Sequence, residues 1–127
     1  NRDVVTELKA QELDRISFLS NPGPVLAVFR KPLFPDLKTE GITLLIDHIQ
    51  DPGNLGTIIR TADWFGVRRI ICSPDTADLF NPKVVQSSMG SIVRVEVEYM
   101  DLKEYMDAHA HIPSYAAVMD GAELEQT

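Results

Sequence analysis

Hydrophobic and polar positions along this chain change period several times, and each change marks an element. Over residues 3–19, Val5, Leu8, Leu13, Ile16 and Leu19 recur near the spacing of an amphipathic helix, with Glu7, Lys9, Glu12 and Asp14 between them. The stretch SNPGP, residues 20–24, breaks that pattern. VLAVFR, 25–30, is a short apolar run of strand length, and KPLFPDLKTEG, 31–41, reads as loop. ITLLID, 42–47, is a continuous apolar run of the kind buried on both faces of a parallel sheet. A helix follows and stops at Gly66, a residue that suits a helix C-terminus. VRRIICS, 67–73, predicts a second strand, and NPKVVQSSM, 81–89, a short helix with Asn81 as cap and Pro82 in the first turn. SIVRVEVEY, 91–99, alternates as a strand near a sheet edge does. DLKEYMDAHA, 101–110, opens on a capping aspartate and predicts a helix; YAAVMD, 115–120, predicts a last strand. Strands alternating with helices indicate an α/β fold, a Rossmann-like, mostly parallel sheet with flanking helices.

The chain has 127 residues, the size of one ordinary domain, and its 44% hydrophobic content supports a packed core. A formal net charge of -7 argues against binding nucleic acid by bulk charge, because counterion release needs clustered Lys and Arg. It leaves room for a local basic site. A single cysteine, Cys72, excludes an internal disulfide and suits a reducing, cytoplasmic setting. Cys72 sits in an apolar strand and reads as core rather than nucleophile. No apolar run is long enough to cross a membrane as a helix. His109 and His111 show no metal-ligand spacing with a partner, so no metal site is expected.

One stretch asks for more than a fold. In DPGNLGTIIRTADWFG, residues 51–66, a helix opens with Pro52, Gly53, Asn54 and Gly56 and then places Arg60 among Ile58, Ile59 and Ala62. On a helical wheel Leu55, Ile58, Ile59, Ala62 and Phe65 form the core stripe, and Gly53, Gly56, Arg60 and Asp63 lie on another side. A helix start with glycines, an asparagine able to cap free N–H groups and one guanidinium suits a phosphate or ribose–phosphate group. It also follows a parallel strand, where open α/β sheets bind ligands. The stretch is neither a Walker loop nor G-x-G-x-x-G.

Through Asp51, Pro52, Asn54, Gly56, Arg60, Thr61, Ala62, Phe65 and Gly66, this stretch resembles the first motif of the SpoU, or TrmH-like, RNA ribose methyltransferases of the SPOUT superfamily. NPKVVQSSMGSIVRVEV, 81–97, resembles the segment that follows, with Gln86 where a basic residue is common. The resemblance runs from about residue 25 onward. It implies that residues 25–127 are the N-terminal part of a SPOUT (α/β knot) methyltransferase domain, truncated before the trefoil knot. Residues 1–24 would then be the linker helix and loop from an N-terminal RNA-recognition domain. It also implies methylation of a ribose 2′-hydroxyl in ribosomal or transfer RNA, S-adenosyl-L-methionine as donor, and a homodimer. Because the family's later motifs are not in this chain, most of the donor pocket is expected to be absent; Met119 and Asp120, by position alone, would border it.

The resemblance makes Arg60 and Asn54 the catalytic residues, with Gly56, Ser88, Gly90 and Ser91 expected to receive RNA. To serve as a base, an arginine would need its pKa brought far down from its ordinary value to near neutrality, roughly 8 kcal/mol of differential interaction. The less demanding role is a charged guanidinium that grips a phosphate and stabilises the developing alkoxide, with Asn54 orienting it or the ribose. His48 ends a strand beside the motif and reads first as a structural histidine. Trp64 reads as a dimer-interface residue rather than a base-stacking one. A different class of function, a non-catalytic RNA-contacting or dimerising α/β module, fits the same residues.

Overall fold

A computed structural model describes residues 5–19, 21–34 and 41–119. Its centre is a three-stranded parallel sheet in the order β1-β2-β3, with β1 at Thr43–Ile46, β2 at Arg69–Cys72 and β3 at Glu96–Tyr99. Helix α1 spans Ala10–Ile16, α2 Pro52–Trp64, α3 Pro82–Ser87 and α4 Leu102–Ala108. A single 3-10 turn covers Ser91–Val93 between α3 and β3.

The strand buried on both faces is the central one, β2, and not the continuous apolar run 42–47. That run forms the edge strand β1, where Thr43, Leu44 and Leu45 are only half-buried and Ile42 before it is 73% exposed, because among the described residues no strand pairs beyond it. Ile70, Ile71 and Cys72 alternate between the two faces of the sheet, and all three are fully buried. On one face Ile46, Ile70 and Cys72 join Leu55, Ile59 and Ala62 from α2, Val84 from α3, and Ile92 and Val95 from the approach to β3. Burial in that low-dielectric core pushes the Cys72 thiol up to about 11, so it stays protonated and unreactive at neutral pH.

The helix starts follow their local chemistry. Asp51 caps α2, its carboxylate accepting the Asn54 amide at 2.8 Å, with Pro52 in the first turn where no N–H is needed. The cap is therefore Asp51, and Asn54 supplies a backbone donor to it. Asn81 caps α3 at 2.9 Å from the Lys83 amide, and Asp101 caps α4 at 2.9 Å from that of Glu104. Gly66 ends α2 in the left-handed region, at φ 76°.

Several expected elements are shorter or differ. The first helix contracts to Ala10–Ile16 and buries none of its residues, so periodicity there has no core to act on. Residues 25–30 pair with no strand, and Val25, Val28 and Phe29 are more than four-fifths exposed. Residues 91–95 do not extend β3, because Ser91 and Arg94 are drawn to Asp63 and the chain coils before it can pair. Residues 115–119 lie in no strand, since an apolar run becomes one only through a ladder partner; residue 120 lies outside the described residues. Phe65, placed on the core stripe by the helical wheel, is the cap residue beyond α2 and is 77% exposed. Among the described residues no helix is long and apolar enough to cross a membrane, and no three His, Cys, Asp or Glu side chains group as metal ligands would.

Candidate functional site

The two glycines of α2 are not bare toward solvent. Helix α3 lies against them. A Cβ on Gly56 would stand 1.9 Å from the Ser87 hydroxyl and 2.7 Å from the Val84 carbonyl oxygen. Gly56 is thus a close-approach residue between two helices, and it is buried rather than open to RNA. Over Gly53 runs the Lys83 side chain, whose ammonium reaches the Asp51 carboxylate at 3.3 Å. The motif's glycines fasten α3 to the start of α2 and so carry the segment after α3 onto the same helix.

That segment is a tight reversal. Met89 has φ 48° and Gly90 φ 87°, two successive left-handed residues, of which the methionine is the uncommon one. Ser88 is fully buried, and its hydroxyl donates to the Val85 carbonyl at 2.9 Å. Ser91 is buried too and donates to the Asp63 carboxylate at 2.8 Å. Both serines are committed inside the protein, so neither offers itself to an RNA backbone as expected. Gly90 is exposed and remains available.

Arg60 lies on the exposed side of α2 beside this reversal, not sunk in a pocket. Its Nη1 donates to the Met89 sulfur at 3.1 Å. Thioether sulfur is a weak acceptor. The other arginines near the sheet are matched to carboxylates: Arg69 to Glu98 at 3.1 Å, Arg94 to Asp63 at 2.7 Å and Arg68 to Asp63 at 3.6 Å. Arg60 has no carboxylate partner among the described residues. A guanidinium in that state keeps its fork of donors for an incoming oxyanion. Asn54 is exposed one turn and a half earlier on the same helix.

A second polar group occupies the carboxyl ends of β1 and β2, which the sequence did not bring together. His48, at φ 55°, donates its amide to the Ser73 hydroxyl at 2.8 Å. Its ring Nδ1 meets the Asp75 carboxylate, which also accepts from Ser73 at 2.6 Å. The signal was weak: these residues lie far apart along the chain and belong to no recognisable spacing. The hydrogen bond and charge of Asp75 raise the His48 pKa above its ordinary value. Raised in the folded state, this group stabilises the fold below about pH 6.5, and that contribution disappears as pH climbs through the raised value. An NMR titration of His48 is therefore expected to give a midpoint above 6.5, and Asp75→Asn to bring it back toward 6.5. A midpoint that Asp75→Asn leaves unmoved would show that the pair does not persist in solution.

One of the two residues expected to border a methyl donor is described. Met119 is fully exposed, and Asp120 lies outside the described residues.

Comparison with known proteins follows the same outline. The family model described as SpoU rRNA Methylase family matches residues 41–126. The chain is 38% identical over 100 residues to the 23S rRNA (guanosine(2553)-2′-O)-methyltransferase RlmP of Bacillus subtilis, covering 79% of this chain and 40% of that protein. It is 32% identical over 120 residues to the mitochondrial rRNA methyltransferase 3A of Danio rerio, covering 88% and 27%. A solved structure assigned to the TrmH family of RNA methyltransferases, from Porphyromonas gingivalis, superposes with a TM-score of 0.76 at 43% identity, covering 94% of this chain and 49% of that one. The SpoU methyltransferase AviRb of Streptomyces viridochromogenes, solved with AdoMet, gives a TM-score of 0.52 at 32% identity, covering 60% and 30%. The chain thus spans less than half the length of these relatives.

Proposed function

We propose a function from one premise: this chain belongs to the SpoU rRNA methylase family. In the full-length protein, the domain methylates a ribose 2′-hydroxyl of RNA, most directly ribosomal RNA. S-adenosyl-L-methionine supplies the methyl group when bound. What supports this reading from the chain itself is Arg60, a guanidinium with no carboxylate partner among the described residues, beside an exposed glycine turn.

The chain's own share of the chemistry is to hold RNA and steady charge. Bonding of the 2′-oxygen to the methyl carbon would break that carbon's bond to the donor sulfonium, leaving a neutral thioether. It would also release the 2′-hydroxyl proton to solvent water, so negative charge gathers on the oxygen before transfer is complete. Arg60 grips the neighbouring phosphate with one N–H and faces that oxygen with another. Asn54, exposed in the first turn of α2, orients the ribose. Gly90, without a side chain, lets the RNA backbone come close. The overall acidity of the chain means that contact is local and not a broad basic surface.

Two further parts of the reading concern assembly and setting. Trp64 and Phe65, 85% and 77% exposed at the end of α2, are large apolar side chains left in water, and a second copy of the protein covering them makes the working form a homodimer. The lone buried thiol of Cys72 supports a reducing, cytoplasmic compartment.

The test is transfer of labelled methyl from S-adenosylmethionine to ribosomal RNA by the full-length protein, followed by alkaline hydrolysis. Methyl on a 2′-oxygen blocks cleavage and leaves labelled dinucleotides. Label recovered only in mononucleotides would put the methyl on a base and end this reading.

A further inference from the structure

We propose that Asp63 is the positioning residue of the site: it aims Arg60 without touching it, through the Met89–Gly90–Ser91 reversal. This rests on the reading of Arg60 given above. Asp63 and Arg60 are three residues apart on α2 and so share a face. The Asp63 side chain is only 14% exposed, yet it gathers three donors from two other segments. Ser91 donates its hydroxyl at 2.8 Å, Arg94 its Nε at 2.8 Å, and the Arg68 guanidinium lies at 3.6 Å. Arg94 also braces Ser91, its Nη2 donating to that hydroxyl at 3.3 Å.

The consequence is geometric. The reversal is fixed at its Ser91 end by a carboxylate on α2, and at its Ser88 end by the buried hydroxyl bond to Val85. Between these anchors Met89 has little choice of place. It is held in a left-handed backbone state that an unbranched side chain adopts only at some cost, and its sulfur lies on the Arg60 guanidinium. Strain of this kind persists only where the surroundings enforce it, and Asp63 is the group that enforces it here. The sulfur holds Arg60 in one orientation through a bond weak enough to be exchanged for an RNA oxygen. Arg60 is thereby ordered before RNA arrives, which spares the ordering cost at the moment of binding.

Asp63→Asn removes the charge that gathers Ser91 and Arg94 and keeps the side-chain shape. In the 127-residue chain, the nuclear Overhauser contact between the Met89 methyl group and the Arg60 side chain is expected to be lost in Asp63→Asn, while core signals from Ile59 and Ile70 stay. Should that variant fail to fold, Ser91→Ala withdraws one donor, leaves no charge stranded, and is expected to weaken the same contact. In the full-length protein, Asp63→Asn and Met89→Gly are both expected to lower kcat for RNA methylation by about tenfold to a hundredfold, the scale of a misplaced catalytic group. Their stabilities move apart: Asp63→Asn melts lower, whereas Met89→Gly, relieved of its left-handed strain, melts no lower than the wild type. Activity that falls in a variant of undiminished stability marks positioning rather than folding. Retention of the Met89–Arg60 contact in the folded Asp63→Asn or Ser91→Ala chain overturns the proposal, and so does wild-type kcat in Met89→Gly. If the wild-type protein transfers no methyl to RNA, the proposed function fails, and the contact measurement alone decides the role of Asp63.

Discussion

Arg60→Ala in the full-length protein is expected to lower RNA methylation by about 10²–10³, the usual loss when one preorganised donor to a developing oxyanion is removed. Stability should barely change, by no more than about 0.5 kcal/mol, because the side chain is exposed and its bond within the described residues is to a thioether. Those two numbers together separate chemistry from folding. Arg60→Lys refines the test. It keeps the positive charge and loses the planar fork, so it should restore RNA affinity more than rate. Equal rates for Arg60→Ala and wild type would remove this residue from the mechanism.

Gly56→Ala should produce the largest change in stability. Alanine is the better helix former by about 1 kcal/mol. Against that gain stands a Cβ placed 1.9 Å from the Ser87 hydroxyl and 2.7 Å from the Val84 carbonyl oxygen. The hydroxyl can rotate away; the backbone oxygen cannot, so α3 must shift off α2. Overpacking of this kind costs about 3 kcal/mol. The net loss is therefore about 2 kcal/mol, read as a lowered urea midpoint. Gly23→Ala is the control, since a Cβ there meets nothing within 4 Å. Activity should fall with Gly56→Ala as well, because displacing α3 displaces the reversal that rests on Arg60. A midpoint equal to that of Gly23→Ala would mean that the two helices are not closely packed.

How far the chain could be read in advance depends on the range of the interactions involved. Helix starts and stops are local, and Pro52, Asn81, Pro82, Asp101 and Gly66 announced them correctly. The parallel sheet was legible in the alternation of strand and helix, but its centre was not: the unbroken apolar run 42–47 is the half-buried edge strand β1, and the strand buried on both faces is β2. Periodicity names the apolar face of an element but not the neighbour that covers it. Gly56 illustrates the difference: its bare side was legible, whereas its occupant, α3, is brought there by the fold. Ser88 and Ser91 look like accessible small residues until Val85 and Asp63 take up their hydroxyls. The His48–Asp75 pair and the bonds of Asp63 to Ser91 and Arg94 join residues more than 25 positions apart, and nothing in local spacing anticipates them. Conversely, residues 25–30 and 115–119 carry strand-like composition without a ladder, because pairing is a property of two segments.

Arg60 and its motif were legible for a different reason. Arg60 stands with the two glycines off the core stripe of α2, in a stretch that resembles the family's first motif. The structure adds what it lacks: its neighbours Arg68, Arg69 and Arg94 have carboxylates, and Arg60 has a sulfur. A structure of the full-length protein with a bound ribosomal RNA oligonucleotide tests that contrast most directly. The predicted result is a phosphate or ribose oxygen about 3 Å from the Arg60 guanidinium, in the place taken by the Met89 sulfur. RNA bound elsewhere, with Arg60 still resting on Met89, would contradict it and leave this domain an RNA-contacting or dimerising module.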